Sequence, residues 1–198
     1  MNRPFLLGLT GSIGMGKSTT ARMFRDEGVP VWDADEAVHR LYSPGQPAAL
    51  AIASHYPQAM EADGQVSRAK LRAMIAEDPA VMDWLNATVH PMTAEDRTQF
   101  IAAHAGSDLL VLDIPLLFET GADGLCDAVL VVSAPAETQR ARVLARGMSE
   151  AEFRIILARQ MPDAEKRARA TFVIETLTED DARAAVRALV KKIRTSHA

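Results

Sequence analysis

An α/β fold with a parallel sheet covered on both faces is what this 198-residue sequence predicts, and three observations carry the prediction. Short apolar runs without polar alternation recur along the chain, as strands buried on both faces require. Helical patterns lie between these runs, so strand and helix alternate. The first run leads straight into Gly11-Ser12-Ile13-Gly14-Met15-Gly16-Lys17-Ser18, a glycine-rich turn that opens a helix.

Phe5 to Leu9 is the first strand. The turn after it has the P-loop spacing of Gly, four free positions, then Gly-Lys-Ser. Glycines let the backbone curl so that successive N–H groups point into one anion-sized nest. The helix N-terminus adds unpaired donors and partial positive charge. Lys17 brings a full charge to the β- and γ-phosphates, and the Ser18 hydroxyl is placed to hold a magnesium ion. This is a nucleoside triphosphate site, with Gly11 through Thr19 as its contacts.

The first helix runs from Lys17 to about Glu27 and stops at Gly28. A second strand covers Pro30 to Trp32. Residues 36 to 106 then hold helical patterns at Glu36 to Tyr42, Ala48 to Tyr56, Ser67 to Ala76, and Pro79 to His104 with Pro91 inside. That is more chain than a crossover needs. It predicts a helical insertion over one edge of the sheet, joined through Ser43-Pro44-Gly45 and Ala62-Asp63-Gly64, in a position suited to a second substrate. Leu109 to Asp113 and Ala128 to Val132 are the next strands. Ala136 to Arg146 reads as a helix ending at Gly147, and Ser149-Glu150-Ala151-Glu152 is a capping box that opens another. The two form an arginine-rich hairpin. Phe172 to Ile174 is the fifth strand, and Thr178 to about Arg194 is a terminal helix.

Apolar residues make up 48% of the chain, which excludes a disordered protein. The longest apolar runs are far too short to span a bilayer. Met1-Asn2-Arg3-Pro4 runs directly into the first strand, leaving no room for a signal peptide. The single cysteine, Cys126, suits a reducing cytosol, and a net charge of −4 disfavours a nucleic-acid surface. A cytoplasmic protein with neither nucleic acid nor membrane as partner is expected; oligomeric state is not legible.

Ligands of open parallel sheets sit beyond the carboxyl ends of the strands. That rim gathers the loop, Asp33 and Asp35 after the second strand, and Asp113 at the end of the third. Asp33 is placed either to cap the next helix, as Asp33-Ala34-Asp35-Glu36 allows, or to accept a proton from an attacking hydroxyl. Asp113 either orients magnesium through water or simply ends its strand. Gln139, Arg142 and Arg146 share one helix face. In a glycine-hinged hairpin they read as a mobile cover carrying arginines over the transferring phosphate. Arg68 and Lys70 open a helix, where cations are unfavourable unless an anion approaches.

With these residues assembled, the chain resembles the dephospho-coenzyme A kinase family over nearly its whole length. The resemblance is carried by Leu9 through Thr19, Asp33-Ala34-Asp35, Gly64 to Leu71 around Arg68, and His90-Pro91. It continues through Asp113-Ile114-Pro115-Leu116-Leu117-Phe118-Glu119 and Gln139, Arg142 and Arg146 followed by Gln160. It implies a P-loop three-layer fold with a five-stranded parallel sheet: a core (1–35, 107–135, 170–198), a helical substrate insertion (36–106) and a helical lid (136–169). It implies transfer of the ATP γ-phosphate to the ribose 3′-hydroxyl of dephospho-CoA, with Mg2+. Lys17, Asp33, Arg142 and Arg146 would be catalytic, and Thr10, Asp33, Arg68, His90 and Leu117 would meet the substrate. Ala170-Thr171 and Glu175-Thr176-Leu177 depart from the family pattern near the expected adenine site. Another small-molecule P-loop kinase, for a nucleoside monophosphate, shikimate or a sugar acid, is the alternative, followed by a non-catalytic nucleotide binder. A guanine-specific switch is disfavoured, because neither Asn2 nor Asn86 is followed by lysine.

Overall fold

A computed structural model of the chain describes residues 3–197 and places the strand feeding the glycine-rich loop at the centre of the sheet. The five strands are β1 (Phe5–Thr10), β2 (Val31–Asp33), β3 (Leu109–Asp113), β4 (Ala128–Ser133) and β5 (Phe172–Glu175). They are parallel and lie in the order β2-β3-β1-β4-β5. Register sets the rim: Leu9 pairs with Asp113, and Asp113 pairs with Asp33, so three strands end level with one another.

The chain divides into two compact units, residues 1–33 with 104–198, and residues 34–103. Besides the sheet, the first unit contains α1 (Lys17–Asp26), α6 (Ala136–Ala145), α7 (Glu150–Ala158), α8 (Asp163–Arg169) and α9 (Glu179–His197). The second is formed by α2 (Ala34–Leu41), α3 (Pro47–His55), α4 (Arg68–Glu77) and α5 (Ala80–Ala103).

In the sheet unit, α1 and α9 cover one face. Ala182, Val186, Leu189, Val190 and Ile193 recur at helical spacing along α9 and pack with Met23 and Phe24 of α1 over Leu7, Leu9 and Leu130. Each large side chain buried there contributes about 1.5–3 kcal/mol. The helical unit has its own core of Leu41, Ile52, Leu71, Leu85 and Val89. Pro47 starts α3, where a missing N–H costs nothing, and the Ser67 hydroxyl caps α4 by accepting the Lys70 N–H.

The structure refines the sequence reading in several places. All residues of β3 and β4 are buried, whereas β2 and β5 are half exposed because an edge strand has a neighbour on one side only. Strand β2 is shifted one residue onward, since Pro30 has no N–H for the ladder, and Asp33 becomes its last residue. Helix α5 continues through Pro91 for 24 residues. Helix α8 lies where the sequence pattern predicts no element, although Asp163 and Glu165 in its first turn and Lys166, Arg167 and Arg169 in its last turn suit a helix dipole. Among the described residues no helix is long and apolar enough to cross a membrane.

Candidate active site

The loop after β1 is fitted too tightly for side chains at its glycines. Gly14 has φ +77, and a Cβ there would lie 2.6 Å from Val143 Cγ2 and 2.9 Å from the Gln139 carbonyl. Gly16 has φ +91 and faces Thr176 at 3.1 Å. The left-handed backbone is what lets the chain double back into a nest before α1 starts.

Hydrogen bonding shows which parts of the nest remain available. The Met15 N–H donates to the Ser12 carbonyl (3.1 Å), and the Ile13 N–H donates to Gln160 Oε1 (3.0 Å). The N–H groups of Gly14, Gly16, Lys17, Ser18 and Thr19 have no acceptor among the described residues, and the buried Ser12 hydroxyl has no partner either. Uncompensated polar groups of this kind cost free energy unless a ligand or water satisfies them. A consecutive run of them at a helix N-terminus fits a phosphate chain.

Lys17 extends from this nest to Asp113, with Nζ 2.6 Å from Oδ1; Asp113 is fully buried and the lysine side chain is 15% exposed. Asp33 stands in register with Asp113 one strand over, and α2 begins at the next residue, so Asp33 occupies both the rim and the head of a helix. Ser18 is exposed, and its hydroxyl has no partner among the described residues.

Arg142 and Arg146 divide their work. The Arg142 guanidinium donates to Thr176 Oγ1 (3.0 Å) and to the Thr176 carbonyl. Thr176 Oγ1 in turn donates to the Met15 carbonyl (2.8 Å). Arg142 is thereby tied to the turn after β5 and to the back of the glycine-rich loop. Arg146 makes no side-chain hydrogen bond or ion pair among the described residues and is exposed. Both arginines line a cavity of about 330 Å³ with Gly16, Thr19, Thr176 and Thr178. Thr171 lies at the other end of β5, where its hydroxyl accepts the Val129 N–H (3.2 Å), so it is part of the sheet edge rather than of this cavity.

Two residues expected at the substrate are wholly interior. The Thr10 hydroxyl donates to the Pro115 carbonyl (2.9 Å), and Leu117 packs over Gly8, where an added Cβ would lie 2.7 Å from Leu117 Cδ1. Their side chains fix the segment after β3. A set of contacts that sequence reasoning missed holds that segment from the other side. Lys166, fully buried, places its Nζ 2.8 Å from Glu119 Oε1, and the same carboxylate accepts the Met161 N–H (2.8 Å). Burial alone would raise the Glu119 carboxyl, but Lys166 and the Met161 N–H together hold it below the usual carboxylate range. Arg169 adds to the seal, its guanidinium 4.5 Å from the Phe118 ring centre.

In the helical unit, Arg68 and His90 line one cavity of about 310 Å³ with Tyr42, Arg72, Leu71 and Val89. Its walls are apolar and its charged groups are exposed. Burial pushes the Tyr42 phenol up, with Arg68 pulling the other way, so it remains a neutral hydrogen-bond donor at physiological pH. Lys70 does not join them; its ammonium is engaged by the Met60 carbonyl (2.6 Å) and Glu61 (2.9 Å).

The parallel sheet, the glycine-rich nest on its central strand and the lysine reaching a neighbouring strand's carboxylate define a P-loop kinase-like fold. The crystal structure of TT1252 from Thermus thermophilus has the same fold, with a TM-score of 0.85 and 34% identity over 96% of this chain and 98% of that one. The family model for dephospho-CoA kinase (CoaE) matches residues 5–181, and the chain belongs to that family. A dephospho-CoA kinase of Cereibacter sphaeroides is 60% identical over 193 residues, 97% of each chain. One from Jannaschia sp. is 58% identical over 189 residues, 96% of this chain and 97% of that protein.

Proposed function

We propose that the chain transfers the γ-phosphate of ATP to the ribose 3′-hydroxyl of dephospho-CoA, giving coenzyme A and ADP, the last step of coenzyme A synthesis. The observation that carries this is the set of unpartnered N–H groups of Gly14 and of Gly16 to Thr19, in a chain of the dephospho-CoA kinase family. Those groups hold the β- and γ-phosphates. Lys17 slides its charge from Asp113 toward the γ-phosphate, and the buried carboxylate keeps the ammonium aimed across the rim. Asp33 accepts the proton of the attacking hydroxyl. Arg142 and Arg146, which line one cavity, close over the transferring phosphate, Arg146 with its guanidinium uncommitted and Arg142 steadied by its bonds to Thr176. Phosphoryl transfer depends mainly on positioning and charge stabilisation, which is what these groups supply.

Mg2+ fits the donor set. The Ser18 hydroxyl, exposed at the head of α1 and without a partner among the described residues, is a hard oxygen donor of the kind Mg2+ takes beside phosphates and water. Ser18 would hold it, and when bound it neutralises phosphate charge. The cavity of the helical unit takes the acceptor: apolar walls for a pantetheine arm, with Arg68, Arg72 and His90 for its diphosphate. The lone Cys126 agrees with work in the cytoplasm, and the net charge of −4 gives no support to a nucleic-acid partner. A coupled ADP-release assay with dephospho-CoA, AMP, shikimate and gluconate tests the reading. Turnover should require dephospho-CoA; equal or faster release with another acceptor would overturn it.

A further inference from the structure

Both polar backbone atoms of Ile13 are held by glutamines that come from opposite ends of the α6–α7 hairpin. Gln139, on α6 and only 4% exposed, donates Nε2–H to the Ile13 carbonyl at 2.7 Å. Gln160, just beyond α7, accepts the Ile13 N–H at 3.0 Å. The polarity of a backbone fixes each amide's orientation: an N–H can face only an oxygen, and a carbonyl only an amide nitrogen. The two side chains are therefore not interchangeable. Gln160 is itself located by its neighbour, since the Met161 N–H donates to Glu119, and Glu119 is pinned by the buried Lys166.

We propose that Gln139 and Gln160 are positioning residues for ATP, acting through Ile13 to keep the phosphate nest in its binding-ready shape. The inference rests on the phosphates docking in this loop. A segment with glycines at 11, 14 and 16 has much freedom to lose on binding. A clamp on Ile13 removes part of that cost before the nucleotide arrives and turns the donors from Gly14 onward into the nest. Because the clamp serves bound ATP and the transition state alike, its loss should appear in ATP affinity rather than in turnover.

The test is calorimetric ATP titration of the full-length protein with steady-state kinetics on the same variants. Gln160→Leu should raise the ATP Kd and KM about tenfold, the scale of having to order one loop residue on binding instead of beforehand. It should leave kcat within about threefold and the KM for dephospho-CoA within about twofold, because the chemical step and the acceptor site are untouched. Gln160→Glu keeps an acceptor opposite the Ile13 N–H but adds a charge near the phosphates, so at raised ionic strength, where that repulsion is screened, it should bind ATP more tightly than Gln160→Leu. Gln139→Glu sets a carboxylate against a carbonyl and should bind worse than Gln139→Leu. An unchanged ATP Kd in both leucine variants, or a loss confined to kcat, would overturn the inference. Titration needs no acceptor, so a wild-type protein inert toward dephospho-CoA would remove the reaction proposed above and leave these affinities to decide on the clamp.

Discussion

Two lysine–carboxylate contacts in the sheet unit are near mirror images, and their difference separates chemistry from scaffolding. In Lys17–Asp113 the carboxylate is sealed and the ammonium reaches outward; in Lys166–Glu119 the ammonium is sealed and the carboxylate reaches outward. Distance does not distinguish them, at 2.6 and 2.8 Å. Surroundings do. Lys17 adjoins backbone donors with no acceptor, so its exposed charge can be shared with an incoming phosphate. Glu119 accepts a main-chain N–H, so its exposed charge holds the chain at Met161 in place. Of the two pairs, the one beside unsatisfied backbone donors is the one placed to act on a ligand.

The largest effect expected from this contrast is on catalysis. Lys17→Ala should lower kcat/KM by about 10³-fold or more, the scale of removing a phosphate clamp from a phosphoryl-transfer site. Lys166→Met should leave kcat of the folded enzyme within about threefold. Steady-state kinetics on both would break the contrast if the two losses were alike. Next in size, Asp33→Asn should reduce kcat by about 10²–10³-fold with ATP affinity nearly unchanged, as loss of a general base does. Near-normal turnover would return Asp33 to capping α2.

The scaffolding pair should show itself in stability. Glu119→Gln leaves Lys166 buried without a counter-charge and should cost about 3 kcal/mol. In a chain of this size that lowers Tm by about 6–12 °C. Adding Lys166→Met should recover part of the loss, a coupling that a double-mutant thermal melt would read. The smallest effect is on acid stability. The folded-state value of Glu119 is depressed, so its contribution is present above the unfolded value and lost as pH falls through the folded one. Below about pH 4 wild-type Tm should therefore fall more steeply than that of Glu119→Gln. Parallel Tm curves would sink this assignment.

What was legible in the sequence was what local pattern encodes. The loop from Gly11 to Ser18, the apolar runs of β3 and β4 and the Ser149–Glu152 capping box each lie within a few residues, and the capping box forms with both of its bonds. The contacts that give the site its shape are not local. Gln160 meets Ile13 across 147 residues, and Arg142 meets Thr176 across 34. Nothing in their immediate sequence says which of several arginines or glutamines will turn inward. The motif Pro115 to Glu119 was visible as a string, but Lys166, which gives Glu119 its partner, sits on a seven-residue helix that no long periodicity announces. Thr10 and Leu117 illustrate the converse: the motifs around them drew attention to both, while their side chains face the interior.

The most direct test is residue-by-residue amide exchange, with and without a slowly hydrolysed ATP analogue. The N–H groups of Gly14, Gly16, Lys17, Ser18 and Thr19 should become strongly protected on binding, while those of Ile13 and Met15, already bonded within the protein, should change little. Saturation by the analogue with those loop amides exchanging as before would contradict the account.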